Sequence, residues 1–253
     1  MTPTVDFILE TQGLTKVFGG FTAVSNVDLR VARGSIHALI GSNGAGKTTC
    51  FHMLTRFVAP TRGSIHFNGR DITKVGPAEI ARRGIARSFQ ISATFPHLTA
   101  LENVRIALQG KLGWTYLFWK SERALDALNP TAEELLAAVG LSDFRETMAV
   151  DLSYGRKRAL EIATTLALDP ELLLLDEPMA GLGREDVGTI AALIRKVSAN
   201  RTILMVEHNI KVVAELCDRI TVLRRGEIIA EGAYDVVSRD PEVVRAYLGT
   251  GHV

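Results

Sequence analysis

Apolar residues along the chain fall into short unbroken runs separated by stretches with helical spacing. The run SIHALI at 35–40 ends at Gly41, and LLLL at 172–175 ends at two acids. TILMV at 202–206 and ITVL at 220–223 have the same character, the latter closed by the turn Arg224-Arg225-Gly226. Runs of this length bounded by turn residues predict buried strands. From Lys47, KTTCFHMLTRF has helical periodicity, with Cys50, Met53, Leu54 and Phe57 on one side and Pro60 as a stop. A second helix is predicted over 153–167, closed by Asp169-Pro170. Towards the N-terminus, 24–31 (VSNVDLRV) and 64–67 (SIHF) look like half-buried antiparallel strands, and Asn68-Gly69 signals a tight turn. His37 and His66 fall inside strands and are read as structural.

The middle, about 91–152, has no convincing long strand. It has helical stretches at 101–109, 121–128 and 131–139, the last ending at Gly140, and Asn129-Pro130-Thr131 reads as a helix restart with a usable cap. The alternation therefore predicts an α/β core interrupted by a helical insert, divided as 1–90 and 153–253 for the core and 91–152 for the helical subdomain. Within the insert, 113–119 (GWTYLFW) holds both tryptophans. It reads either as a packing hairpin or as an exposed apolar patch that docks on a partner or a membrane surface.

Composition narrows the function classes. A chain of 253 residues, 47% hydrophobic and 23% charged, suits one domain with a smaller subdomain. A net charge of +1 gives no argument for nucleic acid as a partner. The two cysteines, Cys50 and Cys217, lack metal-ligand spacing and fit a reducing compartment. The start, MTPTVDFILE, is unlike a signal peptide, and no apolar stretch approaches 18 residues. The expectation is a cytoplasmic chain.

Three motifs carry chemistry. Residues 41–48 read GSNGAGKT, a full match to GxxxxGK[ST], after a strand and before a helix. Gly41, Gly44 and Gly46 let the backbone curl so that successive N–H groups face phosphate oxygens. Ser42, Asn43 and Ala45 complete that cradle, the helix start from Lys47 through Thr49 adds partial positive charge, Lys47 reaches the β- and γ-phosphates, and the Thr48 hydroxyl ligates Mg²⁺. LLLLDEP at 172–178 ends a buried strand in two acids. Asp176 is placed to hold Mg²⁺ and Glu177 to take a proton from an attacking water. LSYGRKR at 152–158 opens a helix with Ser153 as cap and Gly155 beside it, a second anion-friendly terminus.

In chain order GSNGAGKT, LSYGRKR and LLLLDEP, at this spacing, resemble the nucleotide-binding subunit of an ABC transporter over essentially the whole chain. The resemblance implies a P-loop NTPase core with a parallel sheet, an N-terminal antiparallel β subdomain and an inserted helical subdomain, binding and hydrolysing ATP with Mg²⁺. It implies that Phe18 stacks on adenine, that Gln90 contacts Mg²⁺ and the attacking water, and that His208 bonds the γ-phosphate. It also implies a head-to-tail pair with an identical or similar ATPase, in which Ser153 and Gly155 of one chain close on the γ-phosphate held by the other. Two positions depart from the family pattern: Tyr154 and Arg156 stand in the usual LSGGQ, and Gly183 stands where an aspartate is usual. The LSYG form, the AGLG loop and the ending AYLG are similar to the longer ATPase of the branched-chain amino acid uptake subgroup. That implies transmembrane permease subunits, a peripheral place on the inner face of the membrane, and, indirectly, an extracytoplasmic solute-binding protein.

Other readings stay open at this level: a related system for urea, aromatic acids or lipopolysaccharide; a P-loop phosphotransferase, which leaves LSYG unexplained; a mechanical ATPase on DNA or ribosomes, which usually carries paired cassettes or coiled coils; and a nucleotide sensor, against which Glu177 and His208 speak.

Overall fold

A computed structural model describes residues 6–88, 94–112 and 125–248. Gln90, the aromatic segment 113–119 and the first half, 121–124, of the helix expected at 121–128 lie outside the described residues.

The chain opens with β1 (Phe7–Phe18), β2 (Phe21–Val27) and β3 (Arg30–Ala32), which pair antiparallel. β4 (Ile36–Gly41) then enters a second sheet and leads into α1 (Lys47–Leu54). β5 (Arg62–Phe67) and β6 (Arg70–Asp71) return to the first sheet, around a turn in which Asn68 and Gly69 both have positive φ. α2 (Pro77–Arg82) and β7 (Ile85–Arg87) follow. α3 (Ala100–Lys111), α4 (Asn129–Ala138) and α5 (Tyr154–Leu166) form the helical layer. The chain then alternates as β8 (Leu172–Asp176), α6 (Arg184–Ser198), β9 (Thr202–Val206), α7 (Ile210–Leu216) and β10 (Arg219–Arg224), and ends in β11 (Glu227–Gly232), α8 (Tyr234–Val237) and α9 (Pro241–Leu248).

The second sheet has the order β11-β10-β4-β9-β8-β7, parallel except for β11. Its two faces explain the unbroken apolar runs. Successive strand residues point to opposite sides. Leu172 and Leu174 join one core with the antiparallel sheet and α1, while Leu173 and Leu175 join a second core with the helices. A strand covered on both faces gains nothing from alternation, so it reads as LLLL or TILMV. The helices of the middle share this second core: Leu101, Val104, Leu136, Leu160 and Ala163 pack in the cluster that holds Ile203 and Met205. α3 is fixed at its start by a capping box between Thr99 and Glu102.

Several expectations need correction. The helix from Lys47 ends at Leu54, and Phe57 is exposed rather than on its buried side. The strand expected at 24–31 is two strands, broken at Asp28-Leu29. α4 begins at Asn129 with Pro130 in its first turn and no side-chain cap, so Thr131 lies inside the helix. Pro fits there because first-turn N–H groups have no intrahelical partner.

His37 is structural in a specific sense. It is fully buried in β4, its Nε2 lies 2.8 Å from Thr221 Oγ1, and burial, helped by Arg219, pushes its pKa down to about 3. The unfolded chain takes up this proton as pH falls below the ordinary value of 6.5, and the folded chain does not until about 3. Stability contributed above pH 6.5 is therefore lost progressively below it. Over the window from pH 6.5 to 5 this side chain alone accounts for about 2 kcal/mol, at ~1.4 kcal/mol per pH unit. Urea unfolding of wild type and His37→Gln at the two pH values should show that much less pH-dependent loss in the variant.

Candidate functional site

The C-terminal ends of β4, β9 and β8 lie side by side, with Leu39 of β4 level with Val206 and Val206 level with Asp176. Ligands of open parallel sheets collect at that edge, and the register brings the loop after Gly41, the acids after Leu175 and the turn after Val206 to one place.

The loop at 41–46 is made by glycines in the strict sense. A Cβ at Gly41 would lie 2.4 Å from the Leu223 carbonyl oxygen and 2.9 Å from Ala45 Cβ. Gly44 and Gly46 have φ of 78° and 102°, and a Cβ at Gly46 would lie 2.6 Å from the Ala23 carbonyl oxygen. Gly46 caps α1 without a side chain, so no cap side chain takes up the N–H groups of the first turn. Ser42, Asn43, Gly44 and Thr48 are exposed, Ala45 is buried and Thr49 is half-buried. Lys47 is buried, its Nζ donating to the carbonyls of Gly41 at 2.8 Å and Ser42 at 3.1 Å. Burial lowers its pKa, and the charges of Glu177 and Asp176 oppose that shift.

Asp176 is 1% exposed. Its Oδ2 accepts from Arg87 at 2.6 Å, and its Oδ1 is buried without a hydrogen-bond partner. An orphaned carboxylate oxygen is costly in an interior, and hard divalent cations take such oxygens as ligands. Together with the exposed Thr48 hydroxyl, this donor set fits Mg²⁺ beside a phosphate.

Glu177 sits in the left-handed region at φ 48°, a conformation that persists only when its surroundings enforce it. Its N–H donates to the Val206 carbonyl at 2.9 Å, and its own carbonyl accepts from Ala180 N at 3.0 Å and from Arg158 at 3.2 Å. The Glu177 carboxylate lies 4.0 Å from Nδ1 of the largely exposed His208 ring. Lys47, Asp176, Glu177 and His208, expected from sequence, thus converge.

Other expected residues lie apart. Phe18 ends β1 at the tip of a Gly19-Gly20 hairpin, half-exposed, with Lys16 Nζ 4.8 Å from its ring centre. The same hairpin returns past the phosphate loop at Ala23. Gln90 is outside the described residues. Ser153 caps α5, its Oγ accepting from Arg156 N at 3.4 Å. Gly155 leaves room for the carboxylate of Asp186, to which a Cβ would come within 2.5 Å. Both line a different pocket with Asp186 and Thr189. The Tyr154 ring packs on Gly181, and Gly183 begins α6 without a side-chain cap.

Three functional neighbours escaped the sequence reading: Arg87, Arg158 and Glu207. Glu207 is fully buried and accepts from the amides of Met179, His208 and Asn209. The signal available was the one that singled out Asp176, an acid closing a buried strand. Arg87 and Arg158 gave no such signal, because the site groups they hold, the Asp176 carboxylate and the Glu177 carbonyl, are 89 and 19 residues away.

The family described as ABC transporter matches residues 24–180, and that described as Branched-chain amino acid ATP-binding cassette transporter matches residues 227–253. The chain is 39% identical over 252 residues to the high-affinity branched-chain amino acid transport ATP-binding protein BraF of Pseudomonas aeruginosa, covering 96% of this chain and 98% of that one. It is 38% identical over 250 residues to LivG of Escherichia coli K12, with the same coverage. Among solved structures, the ADP conformation of MJ1267, an ATP-binding cassette of an ABC transporter, is similar with a TM-score of 0.85 at 32% identity, over 96% of this chain and 99% of that chain. The dimeric post-hydrolysis state of the cassette MJ0796 with ADP and Pi is similar with a TM-score of 0.74 at 26% identity, over 89% and 98%.

Proposed function

We infer the role of this chain from one premise: it belongs to the ABC transporter family, as an ATP-binding subunit and ATPase close to those of branched-chain amino acid transport. On that premise we propose that it powers import of branched-chain amino acids by closing as a dimer on ATP. The observation that carries the catalytic part is the meeting of Lys47, Asp176, Glu177 and His208 at one sheet edge.

In this reading Lys47 and the amides of residues 41–48 hold the β- and γ-phosphates. Glu177 accepts a proton from the attacking water, and His208 donates a hydrogen bond to the γ-phosphate. Thr48, Asp176 and Gln90 would hold Mg²⁺, which when bound supplies positive charge against the phosphate oxygens. Phe18 offers its face to adenine. Ser153 and Gly155 of a second identical or similar chain close over the γ-phosphate, so ATP favours the closed pair and hydrolysis releases it. The core of 1–90 and 153–253 then carries the nucleotide, and the helical subdomain of 91–152 carries the motion to transmembrane permease subunits. No described helix is long and apolar enough to cross a membrane; in this reading the chain sits peripherally on the inner face, against the permease subunits. A solute-binding protein outside the membrane takes part indirectly.

The solute assignment rests on the named relatives and on the C-terminal match at 227–253. Its rivals are urea, aromatic acids and lipopolysaccharide. The subunit reconstituted with its co-purifying permease and binding protein in vesicles should take up leucine, isoleucine and valine on addition of ATP. Uptake of urea or an aromatic acid instead would redirect the assignment. For the chemistry, Glu177→Gln should keep ATP affinity within about twofold while steady turnover falls by about 10²–10⁴. Normal turnover in that variant would remove Glu177 from the role of base.

A further inference from the structure

Two turns carry the groups that the proposed reaction needs. One follows β8 and presents Glu177; the other follows β9 and presents His208. A single side chain joins them. Glu207, which closes β9, is fully buried. Its Oε1 accepts from Met179 N in the first turn at 2.9 Å. Its Oε2 accepts from His208 N at 3.0 Å and Asn209 N at 3.2 Å in the second. Hydrogen bonds to an ionised acceptor are about twice as strong as neutral ones, and a carboxylate can take several donors at once.

We propose that Glu207 is a positioning residue that sets the Glu177 carboxylate and the His208 ring relative to each other by clasping the backbone of both turns. The inference rests on the reading of Glu177 as base and His208 as γ-phosphate partner. Its physical basis is the left-handed backbone at Glu177. That conformation is held by Val206 through the Glu177 N–H, by Arg158 and Ala180 N through the Glu177 carbonyl, and by Glu207 two residues on. The first contact fixes the end of the strand, and the second ties the turn to α5. Glu207 ties it to the backbone of the second turn, at His208 and Asn209. The separation of 4.0 Å between His208 Nδ1 and Glu177 Oε1 is the consequence.

A glutamine cannot substitute. Its amide has one acceptor oxygen, and its NH₂ group would face an N–H donor at one of the two turns. A serine could accept locally from the Asn209 amide two residues on, as such side chains do in turns, but could not span to Met179. Both variants therefore uncouple the turns while the phosphate loop stays intact.

The experiment measures Mg·ATP affinity by calorimetry and single-turnover hydrolysis in wild type, Glu207→Gln, Glu207→Ser, Glu177→Gln and the double variant Glu177→Gln/Glu207→Gln. The expected result is affinity within about twofold of wild type, with single-turnover rates about tenfold or more lower for each Glu207 variant. Adding Glu207→Gln to Glu177→Gln should cause no further loss, because residues that act as a unit are not additive. Normal hydrolysis in either Glu207 variant, an affinity loss as large as the rate loss, or multiplying effects in the double variant would overturn the proposal. Normal turnover in Glu177→Gln would instead overturn the assignment of the base. Hydrogen exchange on the wild-type chain needs no variant: the Met179, His208 and Asn209 amides should be protected together, and rapid exchange at Met179 would refute the clasp.

Discussion

A carboxylate taken out of water must find compensating partners or lose its charge. At the C-terminal edge of the six-stranded sheet two carboxylates are fully buried, and their partners organise the site. Asp176 is held on one oxygen by Arg87 and leaves the other oxygen unpartnered, facing the kind of place a divalent cation takes. Glu207 is held by three backbone amides. Because those amides belong to the turns that carry Glu177 and His208, satisfying one buried charge also ties together the two positions proposed as catalytic. The phosphate loop obeys the complementary rule. Where Asp176 and Glu207 need donors, the loop leads into a helix start whose cap, Gly46, has no side chain to accept from the first-turn N–H groups.

The two-sided sheet makes this edge possible. With cores on both faces, β4, β8 and β9 are wholly buried, and their parallel pairing brings their C-terminal ends level. Their ends therefore form a rigid shelf. Ser153 and Gly155 lie off it, at the start of α5. α5 is nevertheless joined to the shelf, since Arg158 in the same helix holds the Glu177 carbonyl and pairs with Glu161 in the interior. The residues proposed to receive a second chain's phosphate are thus linked to the proposed base of their own chain.

Much of this was legible in the sequence because it depends on local spacing. The strand-loop-helix around GSNGAGKT, the leucine run into Asp176 and Glu177, and the strand before His208 all announce themselves within ten residues. What stayed hidden depends on distant partners or irregular pairing. β1 is the longest strand, yet its pairing with β2, β3 and β5 shifts register repeatedly, which breaks the alternation that marks a strand. β7 is three residues long. Arg87 looks like any basic residue until Asp176 is brought beside it. The stretch Asn129-Pro130-Thr131 looked like a cap because capping residues are recognised by type, whereas the helix starts two residues before Thr131 with proline in its first turn.

The structure of the chain with Mg²⁺ and a non-hydrolysable ATP analogue tests the account most directly. It should show phosphates on the amides of residues 41–48, the cation at about 2.1 Å from the Thr48 hydroxyl and next to Asp176, and Ser153 of a second copy against the terminal phosphate. A nucleotide seated away from Lys47, or a pair of chains whose Ser153 faces solvent with the triphosphate bound, would contradict it.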